Sequence, residues 1–390
     1  MVSNERRNMK ILAVGGGSGG HVTPVVAVLA ELKQRDASLE ARFWCDKGFS
    51  SQAAEILNAH GSDVQMESLL SGKFRRYHHL SLIQHLLIPS IVLLNIRDLF
   101  LVIAGFFQAF TRLLLWRPDV VFTKGGFVCL PVGWAAWLLR IPLVIHDSDV
   151  YPGLTNRMLA KKATAIATGA PLENYPYPME KSHYVGIPID ASFRVLSDKE
   201  RAAVKKELGC DPDRPLVSVI GGGLGSKVLN DATVRSSNQI LTSASLLLIS
   251  GKQQYSQLVS QVPQDSAFVL KEFVSNGVAD ILGASDIVVS RAGATALLEL
   301  AALRKPTILV PSSRLTWQVK HAATYAAAGA VVCLDETRFD DEADTSYVDA
   351  ILTLLASPKR RNELGASIAK LATPHAASDM ADIIYSVARK

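Results

Sequence analysis

The stretch Ile11–Pro24, ILAVGGGSGGHVTP, ends an apolar run in clustered glycines and then sets His21 at the start of what reads as a helix. An imidazole titrates near neutrality and is able to take a proton from a hydroxyl. Glycines between a strand and a helix let the backbone approach a bound group closely, and the first N–H groups of the helix face an anion. Gly15, Gly16, Gly17, Ser18, Gly19 and Gly20 therefore read as a phosphate cradle with His21 beside it. Gly15, Gly17 and Gly20 also fit the dinucleotide spacing G-x-G-x-x-G, which many unrelated strand–turn–helix units share. A second group with chemical potential is IHDSD, which supplies His146, Asp147 and Asp149. A carboxylate there serves as a base or orients an imidazole. Its structural alternative is capping the turn before a helix at Gly153–Leu159.

These groups need elements to hold them. Strand-like runs at Ile11–Val14, Ala41–Trp44, Val120–Phe122, Leu143–His146, Ala163–Ala167 and Tyr184–Val185 alternate with helical patterns. The pattern restarts at Leu216 with LVSVIGGGLGSKVLNDATV, followed by Ser245–Ile249, Phe268–Leu270, Ile287–Ser290, Thr307–Val310 and Ala330–Leu334. Such alternation predicts parallel, doubly wound sheets. The glycine turns Gly15–Gly20, Gly125–Gly126, Gly221–Gly225 and Gly293 all fall at carboxyl ends of strands, where such sheets bind ligands. The expected division is residues 9–190 and 191–373, with a terminal helix over about 374–390 that could pack on either domain, the first included.

Composition narrows the function classes. The 390 residues carry a net charge of +5, which permits attraction to anionic lipid or phosphorylated substrates but is no nucleic-acid signature. Cys45, Cys129, Cys210 and Cys333 form no C-x-x-C pair, so buried thiols are expected rather than disulfides or zinc. The polar segment MVSNERRNMK lacks the apolar core of a secretory signal. From Leu80 to Leu115 the chain is unusually apolar, broken by Gln84, His85, Pro89, Asn95, Arg97 and Asp98. It reads either as two buried or half-buried helices or as a face dipping into the lipid headgroup layer. Arg75, Arg76, Arg97, Arg112 and Arg117 stand close by for the second reading.

Six motifs occur in the order found in the MurG family of peptidoglycan N-acetylglucosaminyltransferases, and the chain resembles that family over nearly its whole length. They are GGGSGGHVTP, SGKFRRY, FTKGGFVCLPVGWAA, IHDSDVYPGLTNR, GGGLGSKVLN and SRAGATALLELAALRKPTILVP. The resemblance implies an α/β GT-B fold, two Rossmann-like parallel-sheet domains facing across a cleft. It implies metal-free, inverting transfer of GlcNAc from UDP-GlcNAc to the C4 hydroxyl of MurNAc-pentapeptide on undecaprenyl diphosphate, with no cofactor. The implied location is the cytoplasmic face of the cell membrane, as a peripheral protein among other cell-wall synthesis proteins.

Carried over residue by residue, Gly16 to Gly20 match the loop for the acceptor diphosphate, and Ser18, Gly19 and Gly20 also border the donor. His21 or Asp149 matches the position of the base, and a helix N-terminus keeps His21 neutral. Asp149 stands where many members have Asn, and it too borders the donor. Glu299 matches the glutamate that accepts from both ribose hydroxyls, as a two-oxygen carboxylate suits a diol. Phe273 and Val274 match the segment that reads uracil, Gln318 one of two residues on the GlcNAc hydroxyls, and Gly222, Gly223, Arg291 and Gly293 the donor phosphate region. Lys73, Arg75 and Arg76 read either as contacts to lipid phosphate or as a solvated basic loop. Four departures stand out: Asp190 replaces an interdomain Arg, Leu224 a polar loop residue, Trp317 a second sugar-binding residue and His321 an Asn. Arg194 or Arg291 is left to supply a cation for the leaving UDP. Rival readings are a UDP-GlcNAc 2-epimerase, a nicotinamide dehydrogenase with Glu40 or Asp46 on the ribose, and a non-catalytic membrane-surface scaffold.

Overall fold

A computed structural model describes residues 8–17, 19–59, 64–75, 88–149, 152–274, 276–341 and 343–389. Ser18, Arg76 and the stretch 80–87 lie outside the described residues. The chain divides into two compact units, one running to Pro188 and resuming at His375, the other Ile189–Pro374.

The first unit is built on seven parallel strands: β1 Lys10–Val14, β2 Glu40–Asp46, β3 Gln65–Leu69, β4 Val120–Thr123, β5 Leu143–Asp147, β6 Ala165–Thr168 and β7 Ser182–Tyr184. Their order across the sheet is β3-β2-β1-β4-β5-β6-β7. Consecutive residues of β1 point to opposite faces, and both faces are covered: Ile11 and Ala13 join one apolar cluster, Leu12 and Val14 another. This is why the strand reads as a continuous apolar run rather than an alternation. The terminal helix Ala376–Ala388 closes the first of these clusters with Met380, Ile384 and Val387. Burying side chains of that size stabilises by roughly 1.5–3 kcal/mol each. Arg35 also bonds Asp382 and Ser378, and Tyr385 donates to the Leu32 carbonyl.

The second unit repeats the plan with six parallel strands: β8 Leu216–Ile220, β9 Ser245–Ile249, β10 Phe268–Lys271, β11 Ile287–Ser290, β12 Thr307–Leu309 and β13 Val332–Cys333, ordered β10-β9-β8-β11-β12-β13. In each sheet the winding reverses beside its first strand, between β1 and β4 and between β8 and β11. Loops leaving those strands diverge, and a crevice opens at their carboxyl ends.

Within the described residues of the apolar region runs a helix of 28 residues, Pro89–Trp116, with Pro89 in its first turn and Arg117 left-handed at its end. Ile91, Asp98, Val102, Gly105, Ala109 and Leu113 form its buried stripe. Leu93, Ile96, Leu99, Phe100, Ile103, Phe107, Leu114 and Leu115 are exposed. A Cβ on Gly105 would sit 2.0 Å from the Leu70 carbonyl oxygen, and one on Gly72 2.0 Å from that of Asp98. Only glycine lets the segment after β3 run this close to the helix. Asp98 is buried in this seam and paired with Arg75 at 2.6 Å and Arg97 at 2.7 Å. Arg112 bonds Glu67 at 3.1 Å. Three of the arginines read as lipid contacts thus hold carboxylates of their own domain. Cys45, Cys129 and Cys210 are buried thiols, but Cys333 is exposed on the short strand β13.

Candidate active site

The first switch point gathers the loops after β1 and β4. Gly17 adopts φ +81°, and its N–H donates to Asp46 Oδ2 at 2.6 Å. A Cβ on Gly16 would strike the same carboxylate at 2.4 Å. Asp46 Oδ1 accepts from the Phe49 N–H at 3.1 Å. Asp46 is therefore a brace for the glycine loop, not a residue open to a ribose. Glu40 opens β2 at its amino end, away from the loops at the carboxyl ends, and accepts from Trp116 Nε1 at 2.6 Å. Both acids of the dehydrogenase reading have structural employment. The helix Gly19–Arg35 begins directly after the loop with no acidic residue in its first turn, so its N-terminal N–H groups and dipole face the loop uncompensated.

His21 lies in that first turn. A Cβ on Gly126, at φ +87°, would come within 3.6 Å of its Cδ2, so the β4 loop packs against the ring. Its Nδ1 is buried and has no hydrogen-bond partner among the described residues. Burial above all, and then the positive charge of Lys124, lower the imidazole to about 4, against smaller opposing effects of Asp149, the Lys124 main chain and Asp46. Burial and Lys124 thus act in the same direction as the helix N-terminus anticipated from the sequence.

Lys124 was not singled out by sequence reasoning, although it sits in FTKGGF directly after β4. A lysine between an apolar strand and two glycines, at the carboxyl end of a central strand, was the available signal. Only 1% of it is exposed. Burial lowers its ammonium to about 8, with Asp149, Asp147 and Cys129 acting the other way. Its Nζ donates to Ser148 Oγ. His146 Nε2 bonds the Gly186 carbonyl at 2.8 Å, and its Nδ1 lies 3.5 Å from Ser148 Oγ. Asp147 is buried: Oδ2 accepts from Tyr177 OH at 2.6 Å and from the Gly153 N–H at 3.1 Å, fixing the turn into the helix Leu154–Ala160. Asn156 donates to the His146 carbonyl at 3.2 Å. Asp149 is half-buried, its carbonyl held by Tyr175 OH at 2.8 Å, and its charge acts on both His21 and Lys124.

The second switch point has the same backbone plan. Gly225, at φ +78°, packs on the Ser250 carbonyl, where a Cβ would meet oxygen at 2.1 Å. Nothing lies within 4 Å of a Cβ on Gly222 or Gly223, so the tip of the loop is open. Leu224 on that tip is 68% exposed. Ser226 caps the helix Lys227–Ile240 and accepts from Arg291 Nη2 at 2.7 Å. Arg291 also donates to the Val310 carbonyl at 2.8 Å and to Glu336 Oε2 at 2.6 Å. Glu336 in turn accepts from Ser313 N at 2.5 Å. Arg291 thereby ties three loop ends together, and its charge is met by a carboxylate 45 positions away.

Gly293 precedes the helix Ala294–Ala302, which carries Glu299 between buried Leu298 and Leu300. Burial, then the charge of Asp190, raise the Glu299 carboxyl to about 7. Gln318 Oε1 accepts from Ser312 N at 2.9 Å. His321 is buried and donates through Nδ1 to the Ala292 carbonyl at 3.2 Å, supporting the Arg291–Gly293 turn. Trp317 is exposed. Phe273 and Val274 follow β10, and Lys252 Nζ stands 5.3 Å from the Phe273 ring centroid. Arg194 is an exposed residue paired with Glu200 at 2.6 Å, within the capping box of the helix Asp198–Glu207. Among the described residues no group of three or more His, Cys, Asp or Glu side chains is placed to hold a metal ion.

The model of the glycosyltransferase family 28 N-terminal domain matches residues 11–168, and that of the family 28 C-terminal domain matches residues 216–380. A Clostridium kluyveri protein named UDP-N-acetylglucosamine--N-acetylmuramyl-(pentapeptide) pyrophosphoryl-undecaprenol N-acetylglucosamine transferase is 33% identical over 330 residues, 84% of this chain and 86% of that protein. The crystal structure of Acinetobacter baumannii MurG superposes with a TM-score of 0.68 at 19% identity, covering 97% of this chain and 100% of that one. A UDP-GlcNAc 2-epimerase from Neisseria meningitidis, bound to UDP-GlcNAc, gives the same TM-score of 0.68 at 13% identity, over 97% and 100%. Backbone shape alone therefore does not separate transferase from epimerase; residue identity does. On that identity and on both matched domains, the chain belongs to glycosyltransferase family 28, in the MurG family of N-acetylglucosaminyltransferases.

Proposed function

We propose that the protein transfers GlcNAc from UDP-GlcNAc, with inversion, to the C4 hydroxyl of MurNAc-pentapeptide carried on undecaprenyl diphosphate. The observation that carries this reading is the 33% identity, across 84% of the chain, to transferases named for that donor and acceptor. In this reading the second unit holds the donor. Uracil meets the main chain at Phe273 and Val274, and Glu299 accepts from the ribose hydroxyls. The diphosphate approaches Gly222, Gly223 and the helix N-terminus after Gly293. Gln318 faces the sugar. The first unit holds the acceptor diphosphate on Gly16, Gly17, Gly19 and Gly20.

His21 is the proposed base. Its ring is uncharged at neutral pH and half-buried, and an uncharged imidazole nitrogen is able to take the C4 hydroxyl proton. The carboxylate of Asp149 stabilises the imidazolium as it forms, the role an acid plays beside a catalytic histidine. The C4 oxygen attacks the anomeric carbon as the bond to UDP breaks, and oriented N–H groups stabilise the departing diphosphate. Arg291 and Arg194 contribute less to that charge than their type promised, because Glu336 and Glu200 already meet them.

The helix Pro89–Trp116 is the proposed contact with the cytoplasmic membrane surface, where other cell-wall synthesis proteins would be met. It is long and apolar enough to span a bilayer, yet its stripe from Ile91 to Leu113 is packed along its own domain. A helix docked in that way cannot also be ringed by lipid; its exposed face suits an interfacial position.

The test is transfer by purified protein given UDP-GlcNAc and a lipid I analogue, with and without EDTA. The expected result is one UDP released per disaccharide formed, with activity kept in EDTA. Absence of product with a competent acceptor, or acceptor-independent epimerisation of the donor, would overturn the reading.

A further inference from the structure

The buried cation at the first switch point has no role in the reading above. Lys124 follows directly on β4, and its main-chain N–H donates to the Val14 carbonyl at 3.0 Å, locking the two central strands together at their carboxyl ends. The two glycines after it carry the loop back against the His21 ring. Its Nζ reaches across to Ser148, the residue between Asp147 and Asp149. This one residue therefore ties two segments: through its main chain the strand that leads into the glycine loop and His21, and through its side chain the turn that carries Asp149. Burying an ammonium is costly unless it is hydrogen-bonded and near opposite charge, so a lysine in this place implies a use for the cation.

We propose that Lys124 is a positioning residue for glycosyl transfer: its ammonium clamps the Ser148–Asp149 turn beside His21, and its charge opposes a second positive charge on the imidazole. The proposal rests on the assignment of His21 as base. The ionisable groups facing this pair come from every neighbouring segment: Asp46 after β2, Cys129 on the helix Cys129–Leu138, His146 and Asp147 on β5, and Asp149 beyond it. Burial pushes the Cys129 thiol up to about 12, and burial followed by the Lys124 charge holds His146 well below its ordinary value, so both stay uncharged. Asp147 is raised to about 6 and committed to Tyr177 and Gly153. Asp149 and Asp46 remain as the carboxylates that favour a protonated His21, and Lys124 is the cation set against them.

Two variants separate the clamp from the charge. Lys124→Met removes both; Ser148→Ala removes the clamp and keeps the charge. In the free protein, the nitrogen-15 titration of His21 should move upward by about one pH unit in Lys124→Met, as expected when a nearby like charge is lost. It should move less in Ser148→Ala. In the transfer assay both variants should lose kcat, by about ten-fold, with KM for the donor changed less than about two-fold. The acid limb of kcat/KM should move to higher pH in Lys124→Met alone. A His21 midpoint unchanged by Lys124→Met, or wild-type kcat in Ser148→Ala, overturns the proposal; if Lys124→Met does not fold, the Ser148→Ala result decides it. The titration needs no substrate. A chain that transfers no GlcNAc while His21 still responds to Lys124→Met would overturn the functional reading and leave the electrostatic coupling in place.

Discussion

The two switch points are the same backbone device fitted with opposite electrostatics. After β1 and after β8 a glycine turn leads into a helix, and the neighbouring central strand ends in a basic residue, Lys124 or Arg291. In the second unit the cation is neutralised at once: Arg291 lies against Glu336, with side chains only 11% and 9% exposed. What that site keeps for a ligand is backbone N–H groups and an uncommitted carboxyl, Glu299. In the first unit no carboxylate among the described residues touches the ammonium directly. Lys124 bonds a serine hydroxyl, and the charges of Asp149 and Asp147 act on it from the adjoining turn. A site that only binds can cancel its charges internally. A site that moves a proton has to hold several in balance around the group that titrates.

That contrast is open to attack by mutation. The largest effect expected is at the proposed proton-transfer site: His21→Ala should lower kcat by about 10²–10⁴-fold, the usual worth of a general base, while donor binding measured by calorimetry stays near wild type. Equal losses in kcat and donor affinity would break the division between the units. Arg291→Ala comes next and should act on folding. Removing one partner of a buried ion pair costs about 3–5 kcal/mol, so the midpoint of urea unfolding should fall markedly. Near-normal stability with lost catalysis would instead make Arg291 a phosphate ligand.

Glu299→Gln should weaken donor binding by about ten-fold above pH 7 and remove its pH dependence, because only the carboxylate accepts from both hydroxyls. The sign for stability runs the other way. The Glu299 carboxyl is raised in the folded state to about 7, so the native protein binds more protons than the unfolded chain between the ordinary carboxyl range and pH 7. Its contribution is favourable at low pH and is lost as pH rises through that window. Thermal melts should therefore show Glu299→Gln more stable than wild type at pH 8 and equal to it near pH 4. The smallest effect on folding is expected on the helix Pro89–Trp116. Replacing exposed Leu93, Phe100 and Phe107 by Ser should change stability by less than about 0.5 kcal/mol per site. Co-sedimentation with anionic vesicles should nevertheless fall sharply.

The sequence made the sheets and glycine loops visible because parallel strands covered on both faces are continuous apolar runs and their turns are rich in glycine. It did not reveal β3, whose residues QMESL lie at the sheet edge, all but Leu69 half-buried or exposed, and carry neither a continuous apolar run nor a turn signal. Strand ends also moved by a residue or two, as at β6, which starts at Ala165 rather than Ala163. Asn95, Arg97 and Asp98 read as breaks in the apolar region, yet they lie within one helix. Asp98 is satisfied there by Arg75, and Asn95 accepts from the Arg75 N–H at 2.9 Å. Such a pairing across 23 positions leaves no local pattern. The departures at Asp190 and His321 are similarly intelligible only in three dimensions. Asp190 raises the Glu299 carboxyl, and His321 supports the turn before its helix. Motif resemblance located the candidate residues; which of them are braces and which are open was decided by partners distant in the chain.

The division of labour between the units is tested most directly by hydrogen exchange on the full chain, read by mass spectrometry with each substrate added separately. UDP-GlcNAc should protect 221–226 and 290–299 far more than 15–21 and 123–127. A polyprenyl-diphosphate MurNAc-pentapeptide should do the reverse. Protection of 15–21 by the nucleotide sugar alone, with none in the second unit, would contradict the account.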